Sequence, residues 1–202
     1  MTVHVCFDTE TLSLRANAVV LSIGICVFDD QKWQPYDNIV EMGIELFIDR
    51  DAQIDAGRDV SQEVLNWWST QGEEARRVLE PAETIHPRDF YAHWEAFCNK
   101  HSLNMNWLTK NARFYVRGPH FDVAIMEDLF ATFNVSPPWK FYKVRDIRTW
   151  LECHGLDDNL KLKKPASMIP HNALHDAAFD AYMMLEVLHK PSDKLEYDDG
   201  AY

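Results

Sequence analysis

The sequence predicts an α/β fold, a mixed five-stranded sheet flanked by helices, on two observations. A meander of three apolar, strand-like runs opens the chain, and strand- and helix-like segments alternate through its second half. The first run, Val3 to Asp8, is β-branched and apolar, and Val19 to Phe28 repeats that character. In the third, Ile39 to Ile48, the residues Met42, Ile44, Leu46 and Ile48 recur at the strand period of two.

Ser61 then offers an N-cap to a helix whose first turn holds Glu63 and Val64, with Val64, Leu65 and Trp68 as its apolar stripe and Gly72 as its end. A helix over Arg88 to Lys100 carries Phe90, Trp94 and Phe97 at helical spacing. The second half reads as strand Ala112 to Arg117, helix Phe121 to Phe133, strand Lys140 to Ile147, and helix Ile147 to His154 stopped by Gly155. Leu160 to Pro170, with Pro165 and Pro170, reads as a loop, and the last helix runs from Asn172 to His189 before Pro191. Residues 1–190 are therefore expected to form one domain, and 191–202 a mobile acidic tail. There are no internal repeats.

The chain has 202 residues, 47% of them hydrophobic, enough for one sizeable core. No apolar run approaches the roughly 20 residues of a membrane span, and no basic segment followed by an apolar run opens the chain, so a soluble, cytoplasmic protein without membrane contact is expected. Cys6, Cys26, Cys98 and Cys153 are widely spaced without a C-x-x-C pair, and are expected to be reduced thiols packed in the core. A net charge of -12 excludes a protein that coats nucleic acid, because phosphate neutralisation by Lys and Arg drives such binding. It is compatible with a catalytic site that is itself made of carboxylates.

Three acidic motifs stand out. Asp8 and Glu10 are separated by one residue, so an extended strand projects both side chains from one face, where they can share a hard cation. Alone, such a pair is common in a chain with 32 acids; its place at the C-terminal end of an apolar strand, where α/β sheets bind ligands, gives it weight. Asp122 follows a strand and the breakers Gly118 and Pro119, where it serves either as a helix cap or as a third ligand.

The third motif contains H-x4-D twice, as His171 with Asp176 and as His175 with Asp180. Five residues of regular helix rotate two side chains about 140° apart, so both can face one site only if the His precedes the helix. His171 meets that condition, directly after Pro170, and His175 does not. Asp180, one turn beyond Asp176 on the same face, supports the site from behind or replaces Asp176.

Asp8-x-Glu10, then Asp122, then His171-x4-Asp176 in this order resemble the DEDDh family of 3′-to-5′ exonucleases, whose fold is ribonuclease H-like. His171-Asn-Ala-Leu-x-Asp176 is close to the pattern of proofreading subunits and ribonuclease T. Glu63 to Arg76, with Trp67 and Trp68, and Arg145 to Thr149 are similar to bacteriophage exonuclease A, and the wider similarity reaches the mycobacterial-type poly(A)-degrading exoribonucleases. The chain departs from the family at Leu12-Ser13, which follow the acidic motif where Gly is usual.

The resemblance implies a hydrolase that releases nucleoside 5′-monophosphates from single-stranded 3′ ends with two Mg²⁺ or Mn²⁺ ions. Asp8, Glu10, Asp122 and Asp176 would be the metal ligands and His171 the general base. Thr9, Thr11, Leu12, Ser22 and Phe121 are the substrate-binding candidates. Phe121, Trp67 and Trp68 offer stacking faces, although aromatics at helical spacing also serve as core. Two alternatives stay open at this point, a phosphodiesterase acting on dinucleotides and a catalytically silent nucleic-acid-binding module of the same fold. DNA and RNA are not distinguished, and a homodimer is compatible with a chain of this size.

Overall fold

The computed structural model describes residues 3–156 and 162–197. Its strands are β1 (Val3–Thr11), β2 (Val20–Asp29), β3 (Gly43–Phe47), β4 (Phe114–Val116) and β5 (Val144–Asp146). The helices are α1 (Tyr36–Glu41), α2 (Arg50–Asp55), α3 (Gln62–Ser69), α4 (Glu73–Arg76), α5 (Phe90–Lys100), α6 (Met105–Asn111), α7 (Asp122–Thr132), α8 (Ile147–Cys153) and α9 (Ala173–His189).

The sheet order is β3-β2-β1-β4-β5, with β1 in the middle as the acidic motif required. The meander β1-β2-β3 is antiparallel, whereas β4 and β5 run parallel to β1. Strand alternation sorts the two faces. Val5, Phe7, Ile23, Ile25, Leu46 and Phe114 pack against the apolar side of α5 and α7, where Phe90, Trp94, Met126 and Phe130 are all but fully buried. Cys6, Cys26, Phe28 and Tyr115 on the other face pack against α1, α8 and α9.

The expected third strand is shorter than its pattern. Residues 36–41 fold as α1, because Tyr36 and Ile39 lie at helical spacing and are buried against the α9 face; the strand begins only at Gly43. Ser61 caps α3 as expected, but α3 ends at Ser69, and Gly72 stands at the start of α4. The short helices α2 and α6 carry too little apolar periodicity to be foreseen. Asp146 caps α8 by accepting from Thr149 N, and Gly155 (φ +81°) ends that helix region with the left-handed backbone glycine tolerates.

Cys6, Cys26 and Cys98 are buried free thiols, but Cys153 is exposed at the end of α8, a correction to the all-core expectation. Part of the expected loop, 157–161, lies outside the described residues, as do 198–202 of the tail. Within the tail, Leu195 is buried and Tyr197 forms a bridge with Leu162.

Candidate active site

The site gathers at the C-terminal end of β1, on the face covered by α9. Asp8 and Glu10 share that face with Cys6, and the cross-strand partners of Asp8 and Glu10 are Gly24 and Ser22. Gly24 is paired in turn with Glu45 on β3, so Asp8, Gly24 and Glu45 form one row across the sheet. A methyl group on Gly24 would lie 2.0 Å from the Ala173 carbonyl carbon and 2.1 Å from Leu174 N. The first turn of α9 therefore rests on the sheet at the one place in that row without a side chain.

The start of α9 is fastened by a chain of hydrogen bonds. Asn172 is its N-cap, accepting from His175 N (3.0 Å), and its Nδ2 donates to Glu45 Oε2 at 2.7 Å. His171 precedes the cap with φ +57°, a left-handed conformation that costs a non-glycine residue about 1 kcal/mol. That turn sends the ring to the acids: Glu10, His171 and Asp176 present ligand atoms that all lie within 4.8 Å of one another. Asp8 and Asp122 stand outside this tightest trio among the described residues and act on it through charge.

The second histidine faces elsewhere. Its Nδ1 is 2.7 Å from the Tyr36 hydroxyl, and Ile169 N also points to it at 3.4 Å. Asp180 is held behind Asp176 by Arg117, whose Nε and Nη2 both donate to Asp180 Oδ1 at 2.9 and 2.7 Å. At the start of α7, Asp122 is buried and accepts on one oxygen from both Thr9 N (3.1 Å) and Thr9 Oγ1 (2.7 Å).

The carboxyls are poor anions without a counter-charge. Burial, then the charges of Asp122, Glu10 and Asp176, push Asp8 well above the ordinary carboxylate range. Glu10 is raised likewise by burial, then by Asp176, Asp122 and Glu45. Asp122 is pushed up by burial to about 6 despite the two Thr9 hydrogen bonds, and Asp176 by burial and then Asp180 to about 7. Carboxylates packed in this way are costly as anions unless a cation shares them, and a set dominated by carboxylate oxygens suits Mg²⁺ or Mn²⁺. The donor set therefore fits a divalent ion, with Asp8, Glu10, Asp122 and Asp176 as the residues able to hold it. Burial, then Lys164, lowers His171, which keeps its imidazole neutral near pH 7.

A family model described as the 3′-5′ exoribonuclease Rv2179c-like domain matches residues 3–188. The chain belongs to that family. No curated protein sequence is significantly similar to this Rv2179c-like chain. Among solved structures, E. coli exonuclease I in complex with a 5cy-dA13 oligonucleotide is 14% identical with a TM-score of 0.55, over 92% of this chain and 40% of that one. Cell-death related nuclease 4 (CRN-4) is 11% identical with a TM-score of 0.54, over 98% and 66%. The nuclease domain of 3′hExo, a DEDDh family member bound to rAMP, is 11% identical with a TM-score of 0.51, over 99% and 96%. The fold is the ribonuclease H-like fold of DEDDh exonucleases, and the Rv2179c-like chain spans about two fifths of the length of exonuclease I.

Beside Glu10 the Rv2179c-like domain has an open cleft of about 350 Å³, whose walls include Thr9, Thr11, Leu14, Val64, Trp67 and Phe121. Trp67 is 42% exposed, and its ring stands edge-on to His171 with centroids 4.9 Å apart. Trp68 is core: it is 1% exposed and its Nε1 donates to the Thr11 carbonyl at 3.0 Å, so it offers no stacking face.

The structure places the substrate-binding candidates at different depths. The Leu12 side chain, just beyond the end of β1, is buried at 2% exposure in a cluster with Val19, Leu21 and Trp68. Ser22 is fully buried on β2, paired with Glu10 on β1 and with Phe47 on β3. Thr9 is buried yet contributes to the cleft wall, and its hydroxyl donates to Asp122 Oδ1 at 2.7 Å. Thr11 and Phe121 do line the cleft. Gly24 and Glu45 escaped the sequence reading; an isolated glycine inside an otherwise apolar strand was the available signal for Gly24.

Proposed function

We propose that this chain is a divalent-metal-dependent 3′-to-5′ exoribonuclease that hydrolyses single-stranded RNA from its 3′ end and releases nucleoside 5′-monophosphates. The observation that carries the reading is the convergence of Asp8, Glu10, Asp122, Asp176 and His171 at one end of one sheet. The family description names an exoribonuclease, which favours RNA over DNA.

In this reading Asp8, Glu10, Asp122 and Asp176 would hold two Mg²⁺ or Mn²⁺ ions. Ions so held would supply charge stabilisation to the attacking and leaving oxygens of the terminal phosphodiester. His171, neutral near pH 7 and turned toward Glu10 and Asp176, takes the proton of the attacking water. The bond between phosphorus and the O3′ of the preceding nucleotide breaks, which leaves that nucleotide with a free 3′-hydroxyl. Thr9 fixes Asp122 through two hydrogen bonds, and Asn172 with Glu45 fixes the turn that carries His171. The cleft walled by Trp67 and Phe121 takes the terminal nucleoside, an unpaired base being free to stack on an aromatic wall.

The test is turnover of matched RNA and DNA oligomers, labelled at the 5′ end, with Mg²⁺, with Mn²⁺ and with EDTA. Stepwise shortening of RNA, with 5′-monophosphate products, is expected with either ion and none with EDTA or in Asp8→Asn. Undiminished cleavage in EDTA would overturn the reading.

A further inference from the structure

The far end of the sheet carries a group of Lys and Arg side chains in an otherwise acidic chain. The chain has 32 acidic residues and a net charge of -12, yet the stretches 96–121 and 129–145 contain no Asp or Glu. The fold joins these two stretches at the β4-β5 edge. Phe114 pairs with Val144 and Tyr115 with Arg145, and Lys143 Nζ donates to the Asn111 carbonyl at the end of α6 at 3.4 Å.

Lys110, Arg113, Lys140 and Arg145 are exposed on this edge. Asp30, which shares the Tyr115 environment, is engaged by His4 at 2.9 Å. Among these cations stand two aromatic rings that the core does not use: Phe141 is 83% exposed and Tyr142 57%, packed edge to face with centroids 5.3 Å apart. Arg145 Nη1 donates to the carbonyls of Tyr142 and Val144 at 2.9 and 2.7 Å, which ties the turn bearing both rings to the start of β5.

We propose that this edge is a second nucleic-acid contact, which holds the body of a single-stranded RNA while its 3′ end lies among the carboxylates. The proposal rests on the exoribonuclease reading above and adds a length-dependent subsite to it. An acidic enzyme repels a phosphodiester chain, and a local group of Lys and Arg offsets that repulsion where the strand runs. Exposed aromatic rings take unpaired bases without regard to sequence. Charge complementarity thus favours a polyanion over a second copy of this acidic chain.

The edge lies well away from the acids. From Val5, the partner of Phe114, to Glu10 is five residues of strand, about 16 Å, and β5 lies two strands to the side, about 10 Å. Only a substrate several nucleotides long reaches both places.

The experiment compares wild type with Phe141→Ala/Tyr142→Ala and with Lys140→Glu/Lys143→Glu on a dinucleotide and on an RNA of about 20 nucleotides. Binding of the long RNA is followed in parallel by fluorescence anisotropy in EDTA across a salt series. Both double variants should turn over the dinucleotide like wild type and raise KM for the long RNA about tenfold, since each stacked base contributes about 1–3 kcal/mol. The lysine variant should also flatten the salt dependence of binding. Unchanged handling of the long RNA overturns the proposal. So does an equal loss on both substrates, or a change of oligomeric state by light scattering, which would mark the edge as a self-association surface. If wild type degrades no RNA while both variants still weaken its binding, the exoribonuclease reading fails and the contact stands.

Discussion

The two halves of the acidic site are held in place by different means. Asp8 and Glu10 need only the alternation of a nine-residue strand at the centre of the sheet, which any run of strand-forming residues would supply. His171 and Asp176 need the first turn of α9 to be seated over Gly24, the left-handed backbone of His171, and a cap, Asn172, borrowed in part from Glu45 on another strand. The strand half is local and hard to disturb, whereas the helix half is a tertiary construction with several separate points of failure.

The largest effect expected from breaking the helix half is chemical. His171→Ala should lower kcat by about 100- to 10,000-fold, the usual range for losing a general base. His175→Ala removes the hydrogen bond with Tyr36 outside the site and should leave turnover within a few-fold of wild type. Steady-state kinetics on one RNA separates them, and the reverse ranking would transfer the role to His175.

Gly24→Ala tests the seating itself. The new methyl group would overlap backbone atoms of Ala173 and Leu174, which cannot swing aside as a side-chain end can. A displacement of α9 by about 1 Å would be expected to cost about 100-fold in turnover, and the overpacking about 3 kcal/mol in stability. A wild-type melting temperature together with wild-type turnover would show that α9 is not clamped at this point.

What was legible in the sequence follows the same division. Strand β1, its acids, and the helices that open with Asp122 and follow His171 were visible because period-two and helical patterns are local. The preference for His171 over His175 came from helix geometry, since a His inside the helix is rotated away from an acid five residues later, and was supported by the resemblance to the proofreading-subunit pattern. Glu45 was invisible, because a single acid between Ile44 and Leu46 reads as the solvent side of a half-exposed strand. The depth at which Thr9, Leu12 and Ser22 lie was invisible for a related reason. Proximity in sequence to the acidic motif says nothing about the sheet face or depth at which a side chain ends, and all three are occupied with packing or with Asp122.

Glu45→Ala and Thr9→Val together sharpen the contrast between the halves, with the smallest expected effects. Thr9→Val removes a partner of Asp122 and Glu45→Ala a partner of the cap that positions His171, a kind of change that usually costs about 10- to 100-fold. The two should not be equal. Thr9→Val leaves the Thr9 backbone N–H still donating to Asp122 Oδ1, so one of two restraints survives on a strand that stays in place. Glu45→Ala removes the acceptor for Asn172 Nδ2 and leaves the cap with its bond from His175 N, on a turn already strained at His171. Glu45→Ala should therefore lower kcat about tenfold or more with KM little changed, Glu45→Gln should restore most of it through its amide oxygen, and Thr9→Val should fall below tenfold. Equal losses in Glu45→Gln and Glu45→Ala would show that the charge of Glu45 beside Glu10, rather than its hold on Asn172, is what the site uses.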